Sequence, residues 1–281
     1  MKHAASMLLA LSTLVLTPGV VTAQESLLNN PDATKTVSLH AEVGTLAVLS
    51  HHIQFGQSGS DIDYVEEGGQ DNLFPVLRLS AELHTNERNT FVFLYQPLDL
   101  KTQSLIQRDL NIDGVVFPTG SAVDFRYGFS FWRASYLRDL RPSDDRELSL
   151  GLSLQIRNAT IEFESESNGL LISNRDIGPV PVLKVRGRRT LNEGLWVGFE
   201  ADGFYAPIKF INGSNSDVVG AILDASVRAG LDLNSGTEAF LNLRYLTGGA
   251  EGTATNYTPP GDGYNSNWIH FLVLSLGFSL R

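Results

Sequence analysis

From Trp268 to Leu280 the chain alternates without a break: Trp268, Leu272, Leu274, Leu276, Phe278 and Leu280 take every second place, with His270 as the one polar member of that face. Strict period two is the signature of a strand with two unlike faces, although it does not say which solvent covers the apolar one. The same period recurs in ten segments, near residues 36–56, 72–84, 90–100, 122–140, 146–163, 178–190, 194–206, 218–233, 237–248 and 267–280. In the first, Val37, Leu39, Ala41, Val43, Ala47, Leu49, Ile53 and Phe55 form one face, and Ser38, His40, Glu42, Gly44, Ser50, His52 and Gln54 the other. In the fourth, Phe125, Tyr127, Phe129 and Phe131 read as the apolar face and carry Arg133 with them. Helical periodicity never takes over for long, so the pattern predicts an all-β fold.

The connections sort themselves by length. Those after the second, fourth, sixth and eighth segments are short ("TNERN", "RPSDD", "TLNE", "NSG"), and those after the first, third, fifth, seventh and ninth are long and rich in Gly, Asn, Asp and Pro. An up-and-down antiparallel sheet would then carry all its short turns at one end and all its long loops at the other. This sorting, an even strand number and segments of about 9 to 11 residues are the features of a transmembrane β-barrel.

Composition narrows the reading. Residues 1–23, with Lys2, a short apolar run and Val21-Thr22-Ala23, read as a signal peptide; the run is too short for a spanning helix. Residues 24–35 follow as a periplasmic tail and 36–281 as the barrel. The chain has no cysteine and a formal net charge of -10, which leaves no thiolate metal site and no basic face for nucleic acid. No cofactor is expected.

Signal peptide, ten alternating strands, sorted loops and an alternating last strand together resemble the outer-membrane β-barrel proteins of Gram-negative bacteria. The resemblance is one of pattern and implies a place in the cell outer membrane, lipid and lipopolysaccharide as neighbours, and the barrel assembly machinery as the partner in insertion. In that class the last strand usually ends on an aromatic residue; here Phe278 comes early and Arg281 is last.

With lipid outside, the charged faces line the lumen. Pivoting the hairpins sets Arg138 opposite Glu147, and Lys184 and Arg186 beside Glu200 and Asp202; Asp224, Arg228 and Arg244 complete an expected lumen network. Trp132, Tyr136, Trp196, Phe204 and Phe240 fall on the inward side and add bulk. Phe55, Tyr205, Tyr245 and Trp268 fall at the outer interface, and Phe91 and Phe278 at the inner one, as an aromatic girdle. Arg133, on the apolar face, is expected at the periplasmic boundary, where its cost is smallest.

Ten strands enclose a narrow tube, so the leading expectation is a structural or surface-interaction barrel with a filled lumen. A narrow pore for small solutes and a hydrolase at the outer rim are the alternatives. Lipid A deacylases and omptin proteases belong to barrels that resemble this one, and they use His with Ser or Asp near the rim. Here Ser50, His52 and Asp61 are the candidates, although i and i+2 on one strand stand about 7 Å apart. His40, Glu42, Glu82 and His84 form a candidate metal cluster on paired strands. The first loop carries Asp61, Asp63, Glu66, Glu67 and Asp71, oxygen ligands for calcium or for a cation bridge to lipopolysaccharide.

Overall fold

The computed structural model describes residues 35–165, 169–192, 194–207, 217–255, 257 and 259–281. The signal peptide at 1–23 and the tail up to residue 34 lie outside the described residues. In chain order the strands are β1 (Thr36–Phe55), β2 (Ile62–Asp63), β3 (Leu73–His84), β4 (Asn89–Gln96), β5 (Asp99–Leu105), β6 (Leu110–Ile112) and β7 (Val115–Phe117). They continue with β8 (Ala122–Asp139), β9 (Arg146–Ser165), β10 (Leu171–Thr190), β11 (Leu195–Pro207), β12 (Asp217–Asn234), β13 (Thr237–Thr253) and β14 (Tyr264–Leu280). Among the described residues no helix is long and apolar enough to cross a membrane.

Antiparallel ladders run β1-β3-β4-β8-β9-β10-β11-β12-β13-β14, and β14 returns to pair β1 from Leu39↔Leu280 to Phe55↔Asn265. The result is a closed ten-strand barrel, with β5 prolonging the line of β4 along β8 and β2 added to the top of β1. Pairing of the last strand with the first removes the two free end strands of an open sheet, which hydrocarbon does not tolerate, because an unpaired N–H or C=O there costs several kcal/mol. Leu148, Leu150, Leu152, Leu154 and Ile156 on β9 show how the outside is surfaced: each is 42–63% exposed. The alternate residues Ser149, Ser153 and Gln155 are buried. Beyond Ile156 the outward residues turn polar (Asn158, Thr160, Glu162, Glu164), so an apolar band of about the expected height ends there.

The alternation flips within β1. Val48 pairs Phe271 and Ser50 pairs His270, so Leu49 is a bulge residue with no partner on β14. One extra residue reverses the facing of everything beyond it. Leu46 and Val48 point inward before the bulge, and His51, Ile53 and Phe55 point inward after it. Phe55 is therefore not part of an outer girdle; it packs against Phe163 inside. Ser50 and His52 lie on the outer side, not in the lumen.

On β8 the faces are the reverse of the sequence expectation. Phe125, Tyr127, Phe129, Phe131 and Arg133 are buried inside, while Trp132, Tyr136 and Arg138 are exposed outside. Phe125 and Tyr127 meet aromatic side chains brought down by the first loop and by neighbouring strands, and Phe129 and Phe131 continue the row along β8. Tyr64 lies 5.3 Å from Phe125 and 5.7 Å from Phe163, ring to ring, and His51 lies 4.5 Å from Tyr127. Such edge-to-face pairs contribute about 0.5–1.5 kcal/mol each beyond area burial.

The long-loop end is consequently capped. Ile62, Leu98, Leu100, Ile106, Leu110, Ile112 and Phe117 join this cluster. The β6–β7 hairpin contributes three of them through a tight turn in which Asp113 (φ 53°) and Gly114 (φ 84°) both take left-handed backbone. An Asp-Gly pair between apolar runs is the pattern for that turn, and the ten-segment reading passed over it. The connection after β9 is also shorter than expected, because β9 and β10 both continue upward as a hairpin to Ser165 and Leu171.

Two ladders are incomplete among the described residues. β3 and β4 pair only from His84↔Thr90 to Leu79↔Tyr95, although β3 continues upward against β1 to Leu73 and β5 continues along β8. β10 and β11 pair only from Thr190↔Trp196 to Leu183↔Gly203, although β10 continues upward against β9 and β11 against β12.

Candidate functional site

The interior below the aromatic cap is the place where this chain concentrates polar chemistry. Inward positions on facing strands carry opposite charges, and the register brings them together. Arg133 of β8, with its side chain wholly buried, puts Nη1 2.8 Å from Asp202 and 3.0 Å from Asp224. Its Nε and Nη2 both donate to Gln155 Oε1, at 3.0 and 2.6 Å. Lys184 reaches Glu200 at 2.8 Å and Asp202 at 2.9 Å, and Arg244 is paired with Asp224. Arg78 lies 3.0 Å from Glu200 and 3.5 Å from Glu42, and Arg228 lies 3.6 Å from Glu42.

Several of these contacts cross the tube. β3 and β11 stand on opposite sides of the ring, so the bond from Arg78 Nη2 to Glu200 Oε1 spans its diameter. Arg186 of β10 likewise bridges to Glu82 of β3 at 2.8 Å while its Nε donates to Glu147. Charges this deeply buried tolerate desolvation only because each is paired and hydrogen-bonded. Such a layer is a partition across the lumen rather than a lining around it.

At the short-turn end the lumen opens into a cavity of about 460 Å³. Arg188 sits 4.0 Å above the Trp196 ring and 2.8 Å from Glu238. Arg281 joins the same carboxylate and accepts its place in the sheet through its own N–H, donated to Gly236 O at 2.8 Å. The last residue thus has a partner that alternation alone does not reveal.

Other candidates from the sequence are distributed differently. Arg138 is exposed, cross-strand from Leu150 rather than Glu147, and donates to Asn89; it stands outside the lumen network. Trp132 and Tyr136 are outward too, Trp132 stacked on Tyr95, whereas Trp196 and Phe240 are buried within. Arg133 is at the heart of the interior, not at a boundary. His40 and His84 each lie 3.7 Å from Glu82, but Glu42 is spent elsewhere, on Arg78, Arg228, Asn242 and Ser275. The four proposed metal ligands are therefore not brought to one point.

At the rim His52 Nδ1 is 3.4 Å from Asp61, while no hydrogen bond joins Ser50 to His52 among the described residues. The nucleophile and base of a hydrolase are thus not assembled on β1. In the acidic loop Glu67 is engaged by Arg108 at 2.6 Å, and Asp63 accepts backbone N–H groups of Val65 and Glu66. Tyr205, Phe91 and Phe278 are exposed on the outer wall; Trp268 and Tyr245 are half-buried on its face. Tyr245 Oη meets His270 Nδ1 at 2.7 Å, which gives the one polar residue of that face its partner. Sequence reasoning missed His51, buried between Gln70 Oε1 at 2.8 Å and Asn267 Oδ1 at 3.2 Å, because the bulge conceals its facing.

No family model matches the sequence, and no curated protein matches it. Among solved structures, the outer membrane protease OmpT from Escherichia coli is similar at 9% identity, covering 87% of this chain and 96% of that one, with a TM-score of 0.46. A Pseudomonas aeruginosa FadL homologue matches at 8% identity over 87% of this chain and 90% of that chain, TM-score 0.36. The transport unit of the autotransporter AIDA-I from Escherichia coli matches at 10% identity over 93% and 95%, TM-score 0.37. The chain's own geometry carries the assignment of its architecture: with an apolar exterior, an ion-paired interior and its last strand paired to its first, it is an outer-membrane-type β-barrel.

Proposed function

We propose that the protein is an integral barrel of the outer membrane that works through its outer surface and its capped long-loop end, with the lumen closed to diffusion. The observation that carries this reading is the set of ion pairs crossing the tube, Arg78–Glu200 and Arg186–Glu82 above all. A solute passing that layer would have to break buried pairs, and separating one such pair costs about 3–5 kcal/mol. The short turns face the periplasm and the long loops face outward. Tyr205, Tyr245 and Trp268 sit at the outer interface with Phe91 and Phe278 at the inner one, as amphipathic rings prefer. Lipopolysaccharide is the neighbour of the outer rim, and the barrel assembly machinery inserts the chain.

Reconstitution into planar bilayers tests the closed lumen. Steady baseline current is expected from the intact protein, and discrete conductance steps would replace this reading with that of a narrow pore.

A further inference from the structure

The wall of this barrel is not uniform, and the described stretch where β10 and β11 stop pairing lies over a hollow. We infer that the barrel opens sideways between β10 and β11, and that the recess behind the opening takes the head of a single-chain amphiphile from the outer leaflet. The inference goes beyond the closed-lumen reading, because the recess lies above the charged partition and does not need a path through it.

The opening has a cause in the sequence. Hydrogen bonding between β10 and β11 stops at Leu183↔Gly203, and the next residues of β10 include Pro179 and Pro181. Proline has no N–H to give a ladder and is confined to sheet edges or bulges. β10 accordingly behaves as an edge strand over this stretch while remaining paired with β9. Beside Pro179 on the same strand is Gly178, where an added Cβ would meet no heavy atom within 4 Å. The level is that of the outer end of the apolar band, since Pro179 pairs Ile156, the last of the outward aliphatics on β9.

Behind the opening is a recess of about 330 Å³, lined by Tyr127, Phe129, Ile222, Leu246 and Ile269 from inside and by Ile177 and Pro179 at its lip. That is the small end of the range of about 300–1,000 Å³ for ligand sites. An outer groove between Leu183, Leu223, Tyr205 and Trp268 shares Phe204, Ala221, Ile222 and Gly248 with it, so the groove on the lipid-facing wall adjoins the recess at these residues. Gln155 lies in the lining and is fully buried. Its Oε1 is taken by Arg133, which leaves Nε2 with no partner; Arg157 Nε, also in the lining, is buried and unpaired as well.

Buried donors without acceptors are costly, and a ligand oxygen would relieve that cost. Apolar walls, two unpaired donor atoms and an entrance on the lipid side fit one occupant: an acyl chain with a carboxylate head, the head on Gln155 Nε2 and Arg157 Nε beside the existing Arg157–Asp176 ion pair, and the tail along the outer groove.

The test uses the full-length protein in phosphatidylethanolamine and phosphatidylglycerol vesicles, with dodecanoate as the probe and retained ligand measured after washing. Saturable binding is expected. Gly178→Phe, which fills the recess, should weaken it by about tenfold or more, and Gln155→Glu, which keeps the acceptor for Arg133 but replaces the donor, should weaken dodecanoate by about tenfold while leaving the uncharged dodecanol less affected. Both variants must keep the heat-resistant folded form on gels, and a Gly178→Leu variant serves in place of the first if it does not. Binding by the intact protein equal to that of boiled protein, or unchanged in the filled and donor-less variants, overturns the inference. Conductance through the lumen would overturn the closed-lumen reading and leave this one standing.

Discussion

Arg133 shows how much one side chain can decide. Four aromatics at alternate positions before it place it on a greasy face, and a greasy face in a barrel reads as lipid-facing. The structure turns that face inward, where Asp202 and Asp224 await the guanidinium. Replacing Arg133 with Leu would leave two buried carboxylates short of a partner, although Lys184 and Arg244 remain beside them. The expected loss is about 3 kcal/mol of folding stability, read from urea titration in detergent micelles, with Arg133→Lys losing less. No loss in Arg133→Leu would mean that the partition does not stabilise the barrel.

A second residue-scale effect lies in the loops: donation from Arg108 holds the Glu67 carboxyl below the usual glutamate range, against a smaller opposing effect of burial. A lowered carboxylate pKa contributes stability above the ordinary value and loses it as pH falls through the folded one. The cap should therefore loosen below about pH 4, seen as faster proteolysis in the first loop. In Arg108→Ala this acid step should disappear.

Among elements, β1 is the most instructive. Its ladder to β14 absorbs Leu49 as an extra residue, and that single insertion decides the facing of His51, Ile53 and Phe55. Deleting Leu49 restores simple alternation with every other residue on its present side. Deleting Leu150 from β9, where neither ladder is interrupted, sends all residues on one side of the cut to the wrong face. The Leu49 deletion should refold into vesicles like the parent and the Leu150 deletion should not; equal behaviour would contradict the bulge assignment. β10 makes the companion case. Its alternation was legible from residue 178, but the meaning of Pro179 and Pro181 was not, because a proline's consequence depends on which neighbour its missing donor would have served.

For the whole molecule, ring closure and buried ion pairs should make the folded form resist dodecyl sulfate at room temperature. Unheated protein is expected to run ahead of boiled protein on a denaturing gel; identical mobility would count against a closed barrel. The sequence by itself determined the strand number, the approximate strand bounds, the short-turn end and the inside-out character, because period-two alternation and turn composition are local properties of a pleated chain. It also brought Lys184 to Glu200 and Asp202, since a short hairpin fixes its own register. Only the tertiary structure decided which aromatics point inward, where Arg133 and Arg281 find carboxylates, how the first loop caps the tube, and where the β10–β11 ladder stops. Those outcomes turn on a one-residue bulge and on contacts between strands far apart in the chain, and neither leaves a mark on the spacing of hydrophobic residues.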